Sequence, residues 1–276
     1  MHRKNSPGHL LTALLTSISR PIERRPSRPA AGHRLRLSFA VLAVVTVITT
    51  VRTFAEETSL DNLGRFEHAP GTPGIVVAAP HGTADSGTIF LARALAERLG
   101  AGVVLVTGFL IPDERATTRI NVNRPTEQVR ISDRLRILRS PRAEAANARY
   151  SMLIKETAGG PLRFFLEIHS NSWPEAAGLV LVGSSRVTTT EALRFKAAYL
   201  MAADALPASS GTPRLGIRVA PVDSIRFTFQ ESSTIADLTE QGFLMELPSV
   251  VTRNAEWVAQ YADVLGNAVH HYLKDR

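Results

Sequence analysis

The feature that most constrains the fold of this 276-residue chain is an alternation of short apolar runs with amphipathic segments, which begins at residue 74. Residues 74–79 are rich in β-branched side chains and end at a proline, which is typical of a buried parallel strand. Residues 87–99 place their apolar side chains on one helical face, with Ser86 as a cap, and Gly100 ends the helix. The alternation predicts one α/β domain, 74–276, with a mostly parallel sheet covered by helices on both faces.

The same pattern continues to the end of the chain. It predicts strands at 103–106, 163–168, 178–182, 215–219 and 242–247, and helices at 142–155, 190–205, 234–239 and 254–273. The arginine-rich stretch 108–141 shows no clear period. We therefore predict an irregular loop there, long enough to serve a function.

The positive charge of the chain is concentrated in its first 36 residues. These hold eight Lys or Arg and one Glu, which accounts for the whole net charge of +7. The other 240 residues hold 24 basic and 24 acidic residues, so the body of the protein is neutral. A basic tail before a neutral domain indicates targeting and argues against a nucleic-acid-binding surface.

Residues 37–51 form an uncharged apolar run that follows this basic tail. The run has the length of a signal-peptide core and is short for a spanning helix, and Thr53 and Ala55 suit cleavage after residue 55. A buried core segment is the alternative, which the proline- and arginine-rich flank disfavours. Cysteine is absent, which excludes disulfides and thiolate zinc ligands.

We therefore predict a disordered tail at 1–36, a signal peptide or membrane anchor at 37–55 and a linker at 56–73. The domain would then be exported to the periplasm or the extracellular space. If the leader is not cleaved, it would instead be held at the membrane through residues 37–51.

Four short polar motifs lie at or near the ends of predicted strands and in the arginine-rich stretch. In chain order they are PHGTAD at 80–85, RINVNRP at 119–125, EIHS at 167–170 and FLMELP at 243–248. Active groups of α/β sheets gather at the carboxyl ends of the strands. We therefore expect His81, His169 and Glu246 to lie on one rim of the sheet.

The first motif offers a histidine and a carboxylate in one loop. His81 precedes Gly82, which lets the backbone approach a ligand closely, and Asp85 comes just before the predicted helix. Such a pair can bind one zinc ion, although the same ligand types also take manganese, iron or cobalt. A plain turn with Asp85 as a helix cap is the alternative interpretation.

Two glutamates interrupt apolar strands. Glu167 and His169 are two residues apart, so their side chains share a face of the sheet, and Glu167 is suited to supporting a metal-binding histidine. Burial of Glu246 would raise its pKa towards the range of a general base that takes a proton from water. A structural ion pair is the alternative for each glutamate.

Asn123 and Arg124 precede a proline within the arginine-rich stretch. A guanidinium binds a carboxylate through two hydrogen bonds, and a neighbouring amide adds another donor. The pair therefore suits recognition of an acidic group on a substrate. A solvated loop arginine is the alternative.

Together these motifs resemble segments of two related families. The EIHS segment with Asn171 and Ser172, the GFLMELP segment at 242–248 and the NVNRP segment at 121–125 are similar to segments of the zinc carboxypeptidases. The PHGTADSGT, NRP and IHSNS segments, and the helix that carries Tyr150, also resemble the N-formylglutamate amidohydrolases. The resemblance implies a three-layer, phosphorylase/hydrolase-like domain.

The resemblance also implies a metal site. One zinc ion per chain would be held by His81, His169 and an acidic ligand, for which Asp85 is the first candidate and Glu167 the second. The carboxypeptidases place a glutamate three residues after the first histidine, whereas this chain has Asp85 four residues after it.

Roles at the substrate follow from the same resemblance. Glu246 would be the general base, and Arg124 with Asn123 would hold the substrate carboxylate. Arg119 would assist in binding or polarise the scissile carbonyl.

These expectations converge on a zinc-dependent hydrolase that cleaves an amide bond of a small acidic acyl-amino acid or peptide. A zinc carboxypeptidase or cell-wall peptidase is the nearest alternative. A membrane-anchored, non-catalytic binding protein on the same scaffold is an alternative from another class, favoured by the unusual spacing of His81 and Asp85. A serine hydrolase is disfavoured because no G-x-S-x-G motif occurs.

Overall fold

The computed structural model describes residue 60 and residues 62–112, 116–131 and 133–274. The predicted tail at 1–36 and leader at 37–55 lie outside these residues. Among the residues described, no helix has the length and apolar character needed to cross a membrane.

Strands and helices alternate along most of the described chain. The strands are β1 (Gly64–Ala69), β2 (Thr72–Ala79), β3 (Ala101–Gly108), β4 (Leu110–Pro112), β5 (Ala116–Asn121), β6 (Thr126–Ile131), β7 (Arg134–Leu138), β8 (Phe164–Asn171), β9 (Leu179–Ser185), β10 (Gly216–Val219) and β11 (Gly242–Pro248). The helices are α1 (Thr88–Leu99), α2 (Pro141–Ala158), α3 (Thr189–Asp204), α4 (Phe229–Ser232), α5 (Ser249–Thr252) and α6 (Ala255–Lys274). Short 3-10 turns occur at Pro174–Ala176, Ala208–Ser210 and Thr234–Asp237.

A mixed sheet of seven strands, in the order β1-β3-β2-β8-β11-β9-β10, occupies the centre of this region. The four strands β3, β2, β8 and β11 run parallel, whereas β1 is antiparallel to β3 and β9 is antiparallel to β11. β10 runs parallel to β9. The predicted α/β class and mostly parallel sheet are therefore confirmed.

The continuous apolar run of β2 exists because both faces of the strand are covered. Val77 and Ala79 join a core that includes side chains of α1, α3 and α6. Val76 and Ala78 point the other way, into a second core with side chains of α2. Alternate side chains of a strand reach opposite faces, so a strand buried on both faces needs apolar residues throughout.

The predicted irregular loop at 108–141 is wrong for most of its length. That stretch folds into a second, antiparallel sheet in the order β4-β5-β6-β7. Its strands escape a search for apolar runs because few of their side chains are buried, and all five residues of β7 are exposed. Likewise β1, within the range 56–73 assigned to a linker, is a half-exposed edge strand without an apolar run.

Helix α1 begins one residue later than predicted, and Ser86 does not cap it. The capping position is Gly87, whose φ of 84° lies in the left-handed region and which makes no side-chain cap hydrogen bond. A Cβ atom added at Gly87 would lie 1.6 Å from the Thr252 carbonyl oxygen of α5. Glycine is therefore required here both by backbone conformation and by close packing.

We expect Gly87→Ala to lower the free energy of unfolding by about 2–4 kcal/mol, because the methyl group meets backbone and the φ value is strained. Gly178→Ala is the matched control, since an added Cβ has nothing within 4 Å there. Its expected effect is within about 0.5 kcal/mol. Urea denaturation of both variants measures the difference, and equal stabilities would contradict the assigned role of Gly87.

Candidate active site

The loop after β2 holds His81 and Asp85 in a fixed turn. The Asp85 backbone N–H donates to the His81 carbonyl at 2.7 Å, and the Gly82 N–H donates to the Val106 carbonyl of β3 at 2.9 Å. A Cβ at Gly82 would lie 2.8 Å from that Val106 oxygen and closer still to Ile89. Close backbone approach therefore positions His81 and Asp85, which are both buried.

His169 of β8 lies between two carboxylates. Its Nδ1 atom is 3.3 Å from Asp85 Oδ2, and its Nε2 atom is 2.8 Å from Glu167 Oε1. The rings of His81 and His169 are neighbours, with centroids 5.2 Å apart. The structure thus brings the first and third motifs together at the end of the parallel strands.

Glu167 is fully buried and accepts hydrogen bonds from several elements. Its Oε1 atom accepts from Asn123 Nδ2 at 2.8 Å, and its Oε2 atom accepts from Ser233 Oγ at 2.8 Å and from Tyr150 OH at 3.2 Å. Burial and the Glu167 charge hold the pKa of Tyr150 well above its usual value, so the phenol stays a donor. An ion pair with an arginine, the alternative considered from the sequence, is not what satisfies this glutamate.

Glu246 faces the same site from the neighbouring strand. It stands opposite His169 in the parallel register of β8 and β11, and Asn171 Nδ2 donates to its Oε2 atom at 3.4 Å. Burial and the nearby Asp85 charge raise the pKa of Glu246, while the His169 cation opposes that shift. The carboxyl group therefore has the raised pKa expected of a general base.

Arg119 of β5 and Arg124 of the β5–β6 turn bring positive charge to this cluster. Arg119 Nη2 lies 3.4 Å from Asp85 Oδ1, and Arg124 Nη1 donates to the Glu231 carbonyl at 3.5 Å. Within the described structure the buried Nε atom of each arginine has no hydrogen-bond partner. Burial and the neighbouring Arg119 charge lower the pKa of Arg124. Two guanidinium groups with spare donors and mutual repulsion form a site that favours an anion.

The two histidines are held in opposite protonation states. Burial and the charges of Arg119 and His169 lower the pKa of His81 well below its usual value. Burial also disfavours the His169 cation, but hydrogen bonds to Asp85 and Glu167 outweigh it and raise the pKa of His169 to about 10. At neutral pH His81 is neutral and His169 carries a proton on each nitrogen.

The donor set of this cluster fits a divalent metal ion in its chemistry, but the predicted three-ligand site is not assembled. Two ligands of a tetrahedral zinc ion lie about 3.3–3.5 Å apart, which the Asp85–His169 pair matches. Glu167 supports the second nitrogen of His169, as carboxylates commonly do in metal sites. In the described part of the chain, however, no three His, Cys, Asp or Glu side chains converge on one ion position. Both ring nitrogens of His169 instead face carboxylates, Nδ1 towards Asp85 and Nε2 towards Glu167.

Sequence reasoning missed two residues of this site. Ser233 donates a hydrogen bond to Glu167, which lies 66 residues earlier in the chain, and no local sequence pattern marks Ser233. Asn121, at the end of β5, is 1% exposed, and its Nδ2 atom donates to Thr126 Oγ1 at 2.9 Å. The signal available for Asn121 was its position two residues before Asn123, within the second motif.

No family model matches the chain, and no curated protein matches it. Among solved structures, a bacteriophage poly-gamma-glutamate hydrolase aligns over 78% of this chain and 91% of its own, with 15% identity and a TM-score of 0.48.

Two further structures align at similar levels. A gene product of Agrobacterium tumefaciens covers 76% of this chain and 94% of its own, with 15% identity and a TM-score of 0.48. An N-acetylmuramoyl-L-alanine amidase of Nostoc punctiforme covers 75% and 99%, with 16% identity and a TM-score of 0.37. These scores are too low to carry an argument about fold family or activity.

We expect Glu167→Gln to lower the free energy of unfolding by about 2–4 kcal/mol, because an amide nitrogen would face donors that need an acceptor. Tyr150→Phe removes one of those donors and should cost about 1–2 kcal/mol. Glu144→Gln on α2 is the matched control, since that carboxylate is exposed and its ion pair with Arg139 contributes little. Urea denaturation measures all three, and a neutral Glu167→Gln would refute the role given to this carboxylate.

The opposite pKa shifts of the two histidines predict different pH dependences of stability in chelator-treated protein. The folded pKa of His169, about 10, lies above its usual 6.5. Its stabilising contribution is therefore fully present below pH 6.5 and is lost as the pH rises towards 10. The pKa of His81 is lowered, so its effect on stability changes below pH 6.5 and is constant above it.

Urea denaturation of wild type, His169→Gln and His81→Gln at pH 7, 8.5 and 10 tests this. The difference in the free energy of unfolding between wild type and His169→Gln should shrink with rising pH. The difference between wild type and His81→Gln should stay constant over the same range. A constant gap for both variants would show that His169 does not keep its proton.

Proposed function

We propose that this protein is a metal-dependent hydrolase that cleaves an amide bond next to a carboxylate, in an acyl-amino acid or a peptide. The observation that carries the proposal is the placement of Glu246, a carboxyl group with a raised pKa, beside the Asp85–His169 pair. The proposal includes the three-layer, phosphorylase/hydrolase-like form of the domain. It also includes export or membrane anchoring through residues 37–51.

The arginines supply the binding energy for an acidic substrate. Arg124 and Asn123 lie in the turn of the β5–β6 hairpin, where Asn123 donates to the buried Glu167 and Arg124 donates to the Glu231 carbonyl. The unpaired Nε atoms of Arg119 and Arg124 leave donors for a substrate carboxylate. A guanidinium holds a carboxylate in one orientation, which brings the neighbouring amide carbonyl over the site.

His81, Asp85 and His169 would hold the metal ion. The ion would polarise the amide carbonyl and lower the pKa of water in the site. To hold it, His169 would have to lose the proton on its Nδ1 atom, which faces Asp85. The lowered pKa of His81 favours its neutral form, so the free-energy cost of removing a proton before metal binding falls on His169.

Glu246 acts on the proton of the attacking water. Its carboxylate accepts that proton as oxygen attacks the amide carbon, and it then delivers the proton to the nitrogen as the C–N bond breaks. Asn171 holds one carboxylate oxygen in place. The products are a carboxylic acid and an amine, and transfer of the acid's proton to the amine gives a carboxylate and an ammonium ion, so atoms and charge balance.

The metal requirement is tested by dialysis of purified protein against Zn²⁺, followed by measurement of bound metal. We expect one ion per chain in the wild type and less than a tenth of that in His81→Ala and His169→Ala. His271→Ala on α6 is the control and should keep its metal. If the folded wild type binds no metal, the metal-dependent reaction is refuted. The arrangement of ligands seen in the structure would then be the functional one, which favours a binding protein.

Activity is tested with Glu246→Gln on a panel of N-formyl and N-acyl acidic amino acids and short peptides. We expect kcat to fall by about 10²–10⁴-fold while metal binding is kept, because the base is lost. Glu240→Gln, an exposed residue just before β11, should match the wild type. Because the pKa of Glu246 is raised, this carboxylate takes up a proton at a higher pH than an ordinary glutamate does. The fall of kcat/KM on the acid side should therefore have its midpoint above the usual glutamate range. Retained activity in Glu246→Gln would remove this residue from the reaction.

The panel also separates the two enzymatic alternatives. Release of formate or another acyl group would identify an amidohydrolase, and release of a terminal amino acid would identify a carboxypeptidase. Cleavage only of peptidoglycan stem peptides would identify a cell-wall peptidase.

A further inference from the structure

One face of the small sheet leads directly out of the candidate active site. Residues paired across antiparallel strands point to the same face, and the register places Leu110, Arg119, Gln128 and Ile137 in one row across β4, β5, β6 and β7. Arg119 of this row reaches Asp85. The face that carries this row, called the Arg119 face below, is therefore continuous with the buried cluster.

The Arg119 face becomes apolar and exposed away from the site. Leu110 is 36% exposed, Leu135 is 49% exposed and Ile137 is 60% exposed. Leu135 pairs with the exposed Arg130, which adds a positive charge beside the apolar side chains. The opposite face of the small sheet is covered near the core, where Ile120 of β5 is fully buried with side chains of α2.

The inner end of the Arg119 face holds a buried hydrogen-bond acceptor without a partner. Asn121 lies two residues after Arg119 on β5, so both side chains are on this face. In the described structure the buried Oδ1 atom of Asn121 has no partner. A buried acceptor without a donor costs free energy, and a backbone N–H of a ligand would satisfy it.

We propose that the Arg119 face binds an extended peptide portion of the substrate, with an apolar side chain against Leu135 and Ile137. This deepens the proposed function, on which it rests, by naming the substrate class as a peptide instead of a small acyl-amino acid. A peptide supplies the N–H group that Asn121 lacks, the carboxylate that Arg119 and Arg124 attract, and apolar side chains for the outer strands. An acyl-amino acid also supplies the carboxylate and an apolar chain, but its one N–H belongs to the amide that is cleaved, so it offers no further backbone N–H for Asn121.

The geometry sets a minimum length for this peptide. From Arg119 to Ile137 the row crosses two strand spacings, which is about 10 Å. An extended chain advances about 3.3 Å per residue. A substrate must therefore extend about three residues from its carboxylate anchor before it reaches Leu135 and Ile137.

The experiment compares kcat/KM of the metal-loaded full-length protein on acidic substrates extended by one to four residues. We expect a rise of about tenfold when the third residue is added and is leucine, and little rise when it is glycine or when an aliphatic acyl chain of equal length replaces the peptide. No dependence on length or on the third side chain would overturn the proposal.

Paired variants locate the effect on the molecule. Leu135→Ser with Ile137→Ser should remove the gain on the long peptide and leave the shortest substrate unchanged. Ile131→Ser with Leu138→Ser is the matched control, since these side chains are 47% and 48% exposed on the opposite face of β6 and β7. Equal losses in both double variants, or losses on the shortest substrate, would overturn the proposal.

Two further outcomes are distinguishable. Turnover of short and long substrates at equal kcat/KM would keep the proposed function and reject the peptide site. If no substrate is turned over, binding of the leucine peptide to Glu246→Gln by calorimetry decides whether the face binds peptide without catalysis. Light scattering of each variant detects self-association, and a wild-type dimer that Leu135→Ser with Ile137→Ser dissociates would assign this face to a second copy of the chain.

Discussion

The buried carboxylate of Glu167 is the constraint on which the candidate site depends. It has no exposure to solvent and accepts hydrogen bonds from Asn123, Tyr150 and Ser233 as well as contacting His169. These partners come from the β5–β6 hairpin, α2, the turn after α4 and β8. A buried charge that loses its partners is strongly destabilising, so the four elements must be placed together for the domain to fold.

The small sheet is attached to the main domain through this same carboxylate. Asn123 reaches Glu167 and the Ser232 carbonyl, and Asn147 of α2 donates to the Val122 carbonyl at 2.8 Å. The turn between β5 and β6 is therefore fixed, and with it Arg124 in the turn and Arg119 on the strand that leads into it. The outer strand β7 has no such attachment among its described contacts, and all five of its residues are exposed. The rigid part of the small sheet near the cluster is suited to anchoring a substrate carboxylate. The exposed outer part is suited to binding the extended chain that follows it.

The main sheet was predictable from sequence because burial on both faces leaves continuous apolar runs, as in β2. The pairing of Glu167 with His169 was also predictable, since two positions on one strand share a face. The small sheet was not, because strands such as β7 bury no side chain and carry arginines instead. Ser233 was equally hidden, as its role depends on a contact across 66 residues. The side chains of His81, Asp85 and His169 lie in one neighbourhood, but among the described residues no three ligand side chains converge on one ion position, and both nitrogens of His169 face carboxylates. Their role as metal ligands stays a prediction.

Charge balance links the metal and the substrate. With Glu246 ionised, the cluster holds three carboxylates, from Asp85, Glu167 and Glu246, against two guanidinium groups and the His169 cation, so it is close to neutral. Exchange of one proton on His169 for a divalent ion would leave the cluster with an excess of one positive charge. A substrate with a single carboxylate near Arg119 and Arg124 would restore neutrality in a site where burial makes uncompensated charge costly. Metal and acidic substrate would therefore bind cooperatively, because the ion adds the positive charge that the substrate carboxylate neutralises.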